Sequence, residues 1–397
     1  MSGLLEEPDV IVVGAGPAGA TVARDLAAGG LAVLLLDKDE FPRSKPCAGG
    51  LTARTLANLD LTLPPGVVRE RCRAFRAVLG ERVQEVVFPE PYAVTVDRAD
   101  FDSALIAAAQ EEGACFCPGE AVRSVELTAG QAVLRSDKRV LTAPLVIGAD
   151  GIPSRVAAAL GARGRLAAAP CLSADVPLPP GLRSRERWQG TLETHWGYFD
   201  WGYAWVFPKG DHLSVGLGSW DGGKENLKAL WPRFLASLGL TPTPARGHLV
   251  PLGGQRRRRV GDHVLLVGDA AGYADPVTGE GILYALLSAH LAAETVLALK
   301  ARGLPFTAAH LSRYEGACAA AFGRDLAWAL ALNRLARRWP GLWRQAFFAS
   351  PVWFRQALEV ACGRLSYRDL ARWSLQHLSH LLPLAWQAAG VKRRSSE

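Results

Sequence analysis

The sequence predicts an α/β fold: a Rossmann-like nucleotide-binding domain, interrupted by an antiparallel β-sheet domain and followed by a helical C-terminal region. Three observations carry this. A strand, a Gly-rich turn, a helix and a second strand open the chain. From about Leu172 the texture changes to alternating residues rich in Trp, Thr and Gly. The buried-strand pattern resumes only at Val264–Val267, and the last quarter reads as helices. The expected division is 1–171 for the first part of the nucleotide-binding domain, with a substrate-domain insertion at about 60–97. Residues 172–258 form the β-rich substrate domain, 259–303 complete the first domain, and 304–397 are the helical region.

Asp9–Val13 and Leu31–Leu36 are unbroken apolar runs, as strands buried on both faces of a parallel sheet require. Ala-rich Pro17–Gly29 between them reads as a helix. A second helix over Asp100–Glu112 precedes strand-like Ala114–Glu126, Gln131–Arg135 and Leu145–Gly148. The alternation from Leu172 to Pro251 fits an antiparallel sheet with one solvated face. A long helix is expected from about Gly281 to Arg302, then several helices broken at Pro340, Pro351 and Pro383.

With 397 residues, 49% of them hydrophobic and 21% charged, the chain can build a large core without staples, which excludes disorder. No run of 18 residues reads as apolar enough to span a bilayer; the nearest, Trp373–Val391, carries two His, two Gln, two Ser and a Pro. The start, MSGLLEEPD, has acid where a signal peptide needs basic residues, so a cytoplasmic protein is expected. Seven Cys, odd in number and without a C-x-x-C pair, argue for a reducing compartment and against zinc or iron–sulfur. Cys115 and Cys117 would share a strand face and read as packing. The eight His show no H-x-x-x-H or H-x-E spacing, so no metal site is expected. No G-x-S-x-G nucleophile turn occurs.

The net charge of +7 is unevenly placed. Residues 301–397 hold 14 basic against 5 acidic groups and six of the 12 Trp, whereas the first 300 residues are nearly neutral. A uniformly basic nucleic-acid binder is thereby disfavoured, and no nucleic-acid partner is expected.

The first turn reads Gly14-Ala15-Gly16-Pro17-Ala18-Gly19. In such a G-x-G-x-x-G the first Gly makes the turn, the second admits a pyrophosphate, and the third packs helix on strand. Asp37, followed by Lys38, ends the second strand, where a carboxylate can accept both ribose hydroxyls. Gly148-Ala149-Asp150-Gly151 and Val267-Gly268-Asp269-Ala270 each follow a further buried strand. Together the three segments resemble FAD-dependent oxidoreductases of the para-hydroxybenzoate hydroxylase fold. The resemblance implies FAD, with its pyrophosphate on the first glycines, Asp150 near the cofactor and Asp269 on the ribityl chain. Arg98, in Asp97-Arg98…Phe101-Asp102, takes the place of that superfamily's flavin-contacting Arg. An Arg usually stands three residues after the Ser of D-G-x-x-S; here Ala157 stands there and Arg155 follows Ser154.

Asp275-Pro276-Val277-Thr278-Gly279-Glu280-Gly281-Ile282 is a Pro/Gly loop leading into the long helix. If the N1–C2=O edge of the isoalloxazine lies before it, the helix dipole favours the anionic reduced flavin by ~1 kcal/mol.

Two segments narrow the family. Lys45-Pro46-Cys47-Ala48-Gly49-Gly50 resembles the K-x-C-x-G-G stretch of geranylgeranyl reductases. Tyr203-Ala204-Trp205-Val206-Phe207-Pro208-Lys209, with Val215-Gly216-Leu217-Gly218, resembles their Y-x-W-x-F-P-K-x5-V-G motif. Flavin halogenases carry G-W-x-W-x-I-P at this place, which Gly202 and Trp205 fit but Tyr203 and Phe207 do not. The resemblance covers about Asp9 to Leu299. It implies hydride transfer from reduced flavin N5 to an isoprenoid C=C bond, with NADPH or ferredoxin as electron donor. It also places Cys47, Ala48 and Gly49 beside the flavin, with Cys47 as proton donor or substrate gate. Tyr203 and Trp205 become catalytic candidates and, with Phe207, an apolar wall for the prenyl chain, since alternating strand residues face one way. Plain inter-sheet packing is the alternative for the three, and a small buried Cys in a tight loop for Cys47. A flavin monooxygenase or halogenase-like hydroxylase, or a non-reductase electron-transfer or quinone-interacting flavoprotein, are the other functions open to this sequence. The head group also stays open.

Arg256–Arg259 reads as a solvated turn, or as a docking surface for an acidic electron donor or a lipid diphosphate. Trp328, Leu332, Leu335, Trp339 and Trp343 recur at helical spacing, with Arg334, Arg337 and Arg338 mostly off the stripe; Leu375, Leu378, Leu382 and Trp386 form a second stripe. Such helices either lie in a membrane interface or roof a hydrophobic tunnel. The expected partners are therefore a prenyl lipid, a membrane surface and an acidic electron-donor protein, with a monomeric protein peripheral to the inner membrane face.

Overall fold

The computed structural model describes residues 5, 7–162, 166–178, 186–220 and 226–377. Its first layer is a six-stranded sheet in the order 260–261, 264–266, 145–148, 10–13, 33–36, 115–117. All pairs are parallel except the first. Val10–Val13, Val33–Leu36 and Leu145–Ile147 are almost wholly excluded from water, which explains why these strands lack alternation.

Helix Pro17–Ala28 and the long helix Ile282–Ala301 pack together on this sheet, and Gly29 lets Leu297 close the contact. The long helix corrects one expectation. Its 20 residues, at a mean hydropathy of 1.7, are long and apolar enough by composition to cross a bilayer. Eleven of them, Leu286 and Val296 among them, are instead buried in the protein.

The second layer is a seven-stranded sheet in the order 246–251, 168–177, 212–219, 202–208, 191–195, 74–79, 82–87. Strand Ala168–Pro177 already belongs to it, so the domain change falls before the expected residue 172. From the expected insertion, the hairpin of Ala74–Leu79 and Arg82–Val87 supplies the last two strands at one edge. Gly50–Thr52, Ala93–Val96 and Val68–Cys72 form a small sheet joining the layers.

Period two divides the large sheet into two unlike faces. Ala204, Val206, Leu213, Val215 and Leu217 are buried beneath helix Leu227–Ser237, whose Phe234 and Leu235 are fully inside. Truncating Phe234 to Ala would cost about 3–5 kcal/mol. The opposite face carries Tyr203, Trp205, Gly216 and Gly218, and it builds the site.

Other expectations shift locally. Ala114–Glu126 is two strands, Cys115–Cys117 and Val122–Leu127, because the chain turns at Gly119 with φ +64°. The helical stripe through Pro340 is two helices, Arg324–Arg338 and Pro340–Ala349, since Pro opens the second where it has no N–H to place. A π-helical turn, Ala319–Gly323, joins Ala308–Cys318 to Arg324–Arg338. Pro351–Ala361 and Tyr367–Gln376 follow, with Ser350 and Ser366 capping them. Leu378, Leu382 and Trp386 of the second stripe lie outside the described residues.

Candidate active site

Gly14, at φ +101°, lies so close to Ala149 that a Cβ would stand 2.4 Å from its carbonyl oxygen. At Gly19 a Cβ would stand 1.8 Å from the Gly14 oxygen, so the helix can approach the turn only without a side chain. Ala18 meets Gly268, which joins the first motif to the last. Gly16, by contrast, caps the helix with space before it: the nearest atom to a Cβ there is an Arg43 nitrogen at 3.8 Å. Asp37 accepts from the backbone N–H groups of Ala15 and Asp39 at 2.7 and 2.9 Å, which holds its carboxylate at the lip of this cradle. Lys38 beside it is exposed.

Arg43 was not a sequence candidate. Its Nε and one terminal nitrogen are buried without a hydrogen-bond partner, and its other terminal nitrogen borders the open space at Gly16. An anionic diphosphate in front of Gly16 would pair with these donors and with the helix N-terminus. The residues present therefore fit FAD. Asp102, fully buried, is the second omission. It takes a bidentate pair from Arg98 at 2.8 Å and a longer contact from Arg43 at 3.3 Å. One carboxylate thus positions two cations of the cofactor side. The i,i+4 spacing of Arg98 and Asp102 was the sequence signal for it.

The Lys45–Gly50 loop crosses this cation group. The Cys47 sulfur accepts from the Gly49 N–H at 3.4 Å, its carbonyl accepts from Ser214 at 3.2 Å, and Arg98 interacts with the same sulfur. Ala48 sits between, half-buried. Gly49, at φ +71°, leaves no room for a Cβ against the Val96 carbonyl. Asp269 lies beside Gly281, and burial raises its carboxyl while Lys45 and Arg98 oppose the rise. Lys45, on an exposed stretch of loop, is itself held below its ordinary range by desolvation and then by Arg98. Below the loop, Lys209 is buried and its ammonium meets Asp97 at 3.1 Å and Asp175 at 3.5 Å. With His212 these two carboxylates make the one potential metal-ligand group among the described residues, and the ammonium already lies among them.

Across the sheet face, Tyr203, Trp205 and Phe207 do share one side. Tyr203 stacks on Trp220 at 4.8 Å and meets Trp205 edge-on. Phe207 lies against Gly50. The Trp205 ring covers Gly216, where a Cβ would stand 2.0 Å from it, and Trp220 covers Gly218 in the same way. This explains V-G-L-G: Val215 and Leu217 fill the helix side while the glycines seat two indoles on the other. The Tyr203 hydroxyl donates to the Thr278 carbonyl, and burial, followed by Cys171 and Asp275, holds the phenol well above its usual range. Its proton thus braces the 275–281 loop. The indole N–H of Trp205 and of Trp220 are buried without acceptors. His248 completes the wall; burial, then Lys45 and Arg98, lower it to about 4, so it is a neutral imidazole.

Gly279 sits under Trp220 and the Tyr203 hydroxyl, which presses the loop against the wall. Gly281 caps the long helix, and Ile282 begins it. Asp275 is buried, accepting from Val277, Thr278 and the Tyr367 hydroxyl.

Asp150 bonds Ser154 and the Arg155 and Val156 amides at 2.6, 2.6 and 3.3 Å, so its carboxylate braces helix Arg155–Ala159. The Arg256–Arg259 run is solvated only in part: Arg256 and Arg258 are exposed, whereas Arg257 and Arg259 are half-buried. Arg259 donates to the carbonyls of Ala271, Arg257 and Gln255 and lies over Tyr273, while Arg258 reaches Val260 and Leu160. Buried backbone carbonyls need donors, and these side chains supply them.

A family model described as an FAD binding domain matches residues 7–321. The chain is 32% identical to menaquinone reductase of Mycobacterium tuberculosis, over 73% of this chain and 76% of that protein. It is 30% identical to geranylgeranyl diphosphate reductase of Synechocystis sp., over 74% and 76% of the two chains. In fold it is similar to a geranylgeranyl bacteriochlorophyll reductase-like protein of Thermoplasma acidophilum, with a TM-score of 0.75, 24% identity, and 84% and 88% of the chains covered.

Proposed function

Because this chain belongs to the geranylgeranyl reductase family of FAD-dependent oxidoreductases, we propose that it saturates carbon–carbon double bonds of a prenyl chain. The observation that carries the reading is the paired aromatic and glycine surface of Tyr203, Trp205, Trp220, Gly216 and Gly218, facing the loop that bears Cys47. It is built of aromatic rings laid over glycines, an apolar surface suited to an isoprenoid chain, and it would exclude water from an alkene that has no activating group.

Gly16, Arg43, Asp37 and the N-terminus of helix Pro17–Ala28 would hold the diphosphate and ribose of FAD; Asp269, Arg98 and Gly281 would hold the flavin side. FAD, when bound, supplies the hydride for one alkene carbon. Cys47 supplies the proton for the other, with Arg98 beside its sulfur to steady the thiolate left behind. Asp102 keeps Arg98 in that position. NADPH or a ferredoxin would be the electron donor. The substrates indicated by the relatives are geranylgeranyl diphosphate and a prenylated quinone such as menaquinone.

Anaerobic incubation of the dithionite-reduced holoenzyme with each of these, followed by mass spectrometry, tests the reading. A gain of two mass units per reduced bond is expected. No gain on either substrate would overturn it, and an oxygenated product in air would assign the site to a monooxygenase.

A further inference from the structure

Helix Arg324–Arg338 has two faces of opposite character. Its inner face roofs the proposed site. Leu330 packs with Trp220 and against Tyr203, Leu326 closes over Gly253 and Gly254, and Asn333 donates to the Pro276 carbonyl. The outer face reads Arg324, Trp328, Leu335, Arg338 at spacings of four, seven and three, with Arg334 alongside. Trp328 and Leu335 are each 45% exposed, and Trp339, at the break before the next helix, is 52% exposed. None of these arginines has an ion-pair partner among the described residues. The helix's one acid, Asp325, is turned inward to the Tyr367 amide.

Exposed indoles are costly in water and settle at a lipid headgroup boundary, and unpaired arginines beside them favour negative charge. We propose that the outer face of this helix docks on an anionic phospholipid bilayer, one helix diameter from the aromatic wall that its inner face covers. The two readings left open by the sequence, membrane helix and tunnel roof, then belong to opposite sides of one helix. A prenyl lipid could pass from the bilayer to the site around that helix; this purpose rests on the proposed function, whereas the docking itself does not.

The test is flotation of the full-length FAD-loaded protein with phosphatidylcholine vesicles, with and without phosphatidylglycerol, in the absence of any prenyl substrate. Binding is expected with phosphatidylglycerol and should weaken with salt. The double variant R334E/R338E should lose about tenfold or more in binding. Trp328→Ser should bind more weakly and lose the blue shift of tryptophan emission on vesicle addition. Flavin absorbance and melting temperature, unchanged in both, would show that the fold is intact. Vesicle binding that is indifferent to both variants, or absent, would overturn the proposal. So would a lipid-free dimer that R334E/R338E dissolves, because it would give this face to a second copy. Because the vesicles carry no prenyl chain, failure here leaves alkene reduction untouched, and failure of reduction leaves docking to be judged on these readouts.

Discussion

The Glu280 carboxylate accepts a hydrogen bond from the Thr55 hydroxyl at 2.7 Å, across 225 residues of chain. Thr52 adds a second at 3.2 Å. The segment following the Cys47 loop is thereby fastened to the turn that starts the long helix. Burial and then Asp275 push Glu280 up to about 7, against the two threonine hydroxyls. A carboxyl raised in the folded state costs stability only where it must ionise. The cost begins as pH rises past the ordinary value of 4.5 and is complete above about 7. Glu280→Gln should match the parent near pH 4.5 and be more stable at pH 8, by on the order of 1–3 kcal/mol. Thermal melts at the two pH values check this; a difference that does not change with pH would refute it.

Gly16 and Gly19 are three residues apart and should fail differently. Gly19→Ala puts a methyl into the Gly14 carbonyl, so it should destabilise by about 3 kcal/mol or more. Gly16→Ala meets nothing closer than 3.8 Å, so the fold should survive. Its methyl would occupy the space for the diphosphate and weaken FAD by at least about tenfold. Denaturant melts beside flavin titration separate the two outcomes.

Cys47→Ala, compared at equal flavin occupancy, should slow alkene reduction about 10²-fold if the thiol delivers the proton. Cys47→Ser should retain part of the rate. If both variants turn over like the parent, the sulfur serves only to hold the Gly49 amide.

Tyr367→Phe removes a donor from buried Asp275 and should cost about 1–3 kcal/mol. Because Asp275 also holds the Val277 and Thr278 amides, flavin should dissociate faster, as fluorescence recovery would show. A destabilised protein with unchanged flavin release would confine Tyr367 to the C-terminal packing.

The nucleotide-binding half was legible because its constraints are local. Gly14, Gly16 and Gly19 stand in one turn, and strands buried on both faces leave continuous apolar runs. The aromatic wall was legible as far as one strand's period reached, which found Tyr203, Trp205 and Phe207. Trp220 and His248 were not, since they join that wall through pairing with strands elsewhere in the chain. Arg43 escaped for the same reason, since an unpaired donor is not a property of a short motif, whereas the i,i+4 spacing of Asp102 to Arg98 was there to be read. In the arginine run, charge along the sequence said nothing of the carbonyls that Arg258 and Arg259 serve. The C-terminal stripe was found by spacing, yet helix Arg324–Arg338 buries Leu326, Ala329, Leu330, Asn333 and Ala336 instead. A periodic apolar face shows that a helix is two-sided, not which side faces in.

The order of the six-stranded sheet also sets a clock. Val10–Val13 leaves the ribosome early, but one neighbour, Leu145–Gly148, follows 135 residues later. That neighbour's own outer partner, Val264–Leu266, arrives 254 residues after Val10. At 5–20 residues per second the wait is roughly 13–50 s. Both glycine-lined lips of the cradle, at Gly14 and Gly268, exist together only after that interval. Stalled nascent chains ending before residue 264 should therefore carry no flavin, and chains extended past the long helix should. The cofactor would be a late arrival, added to a nearly finished polypeptide.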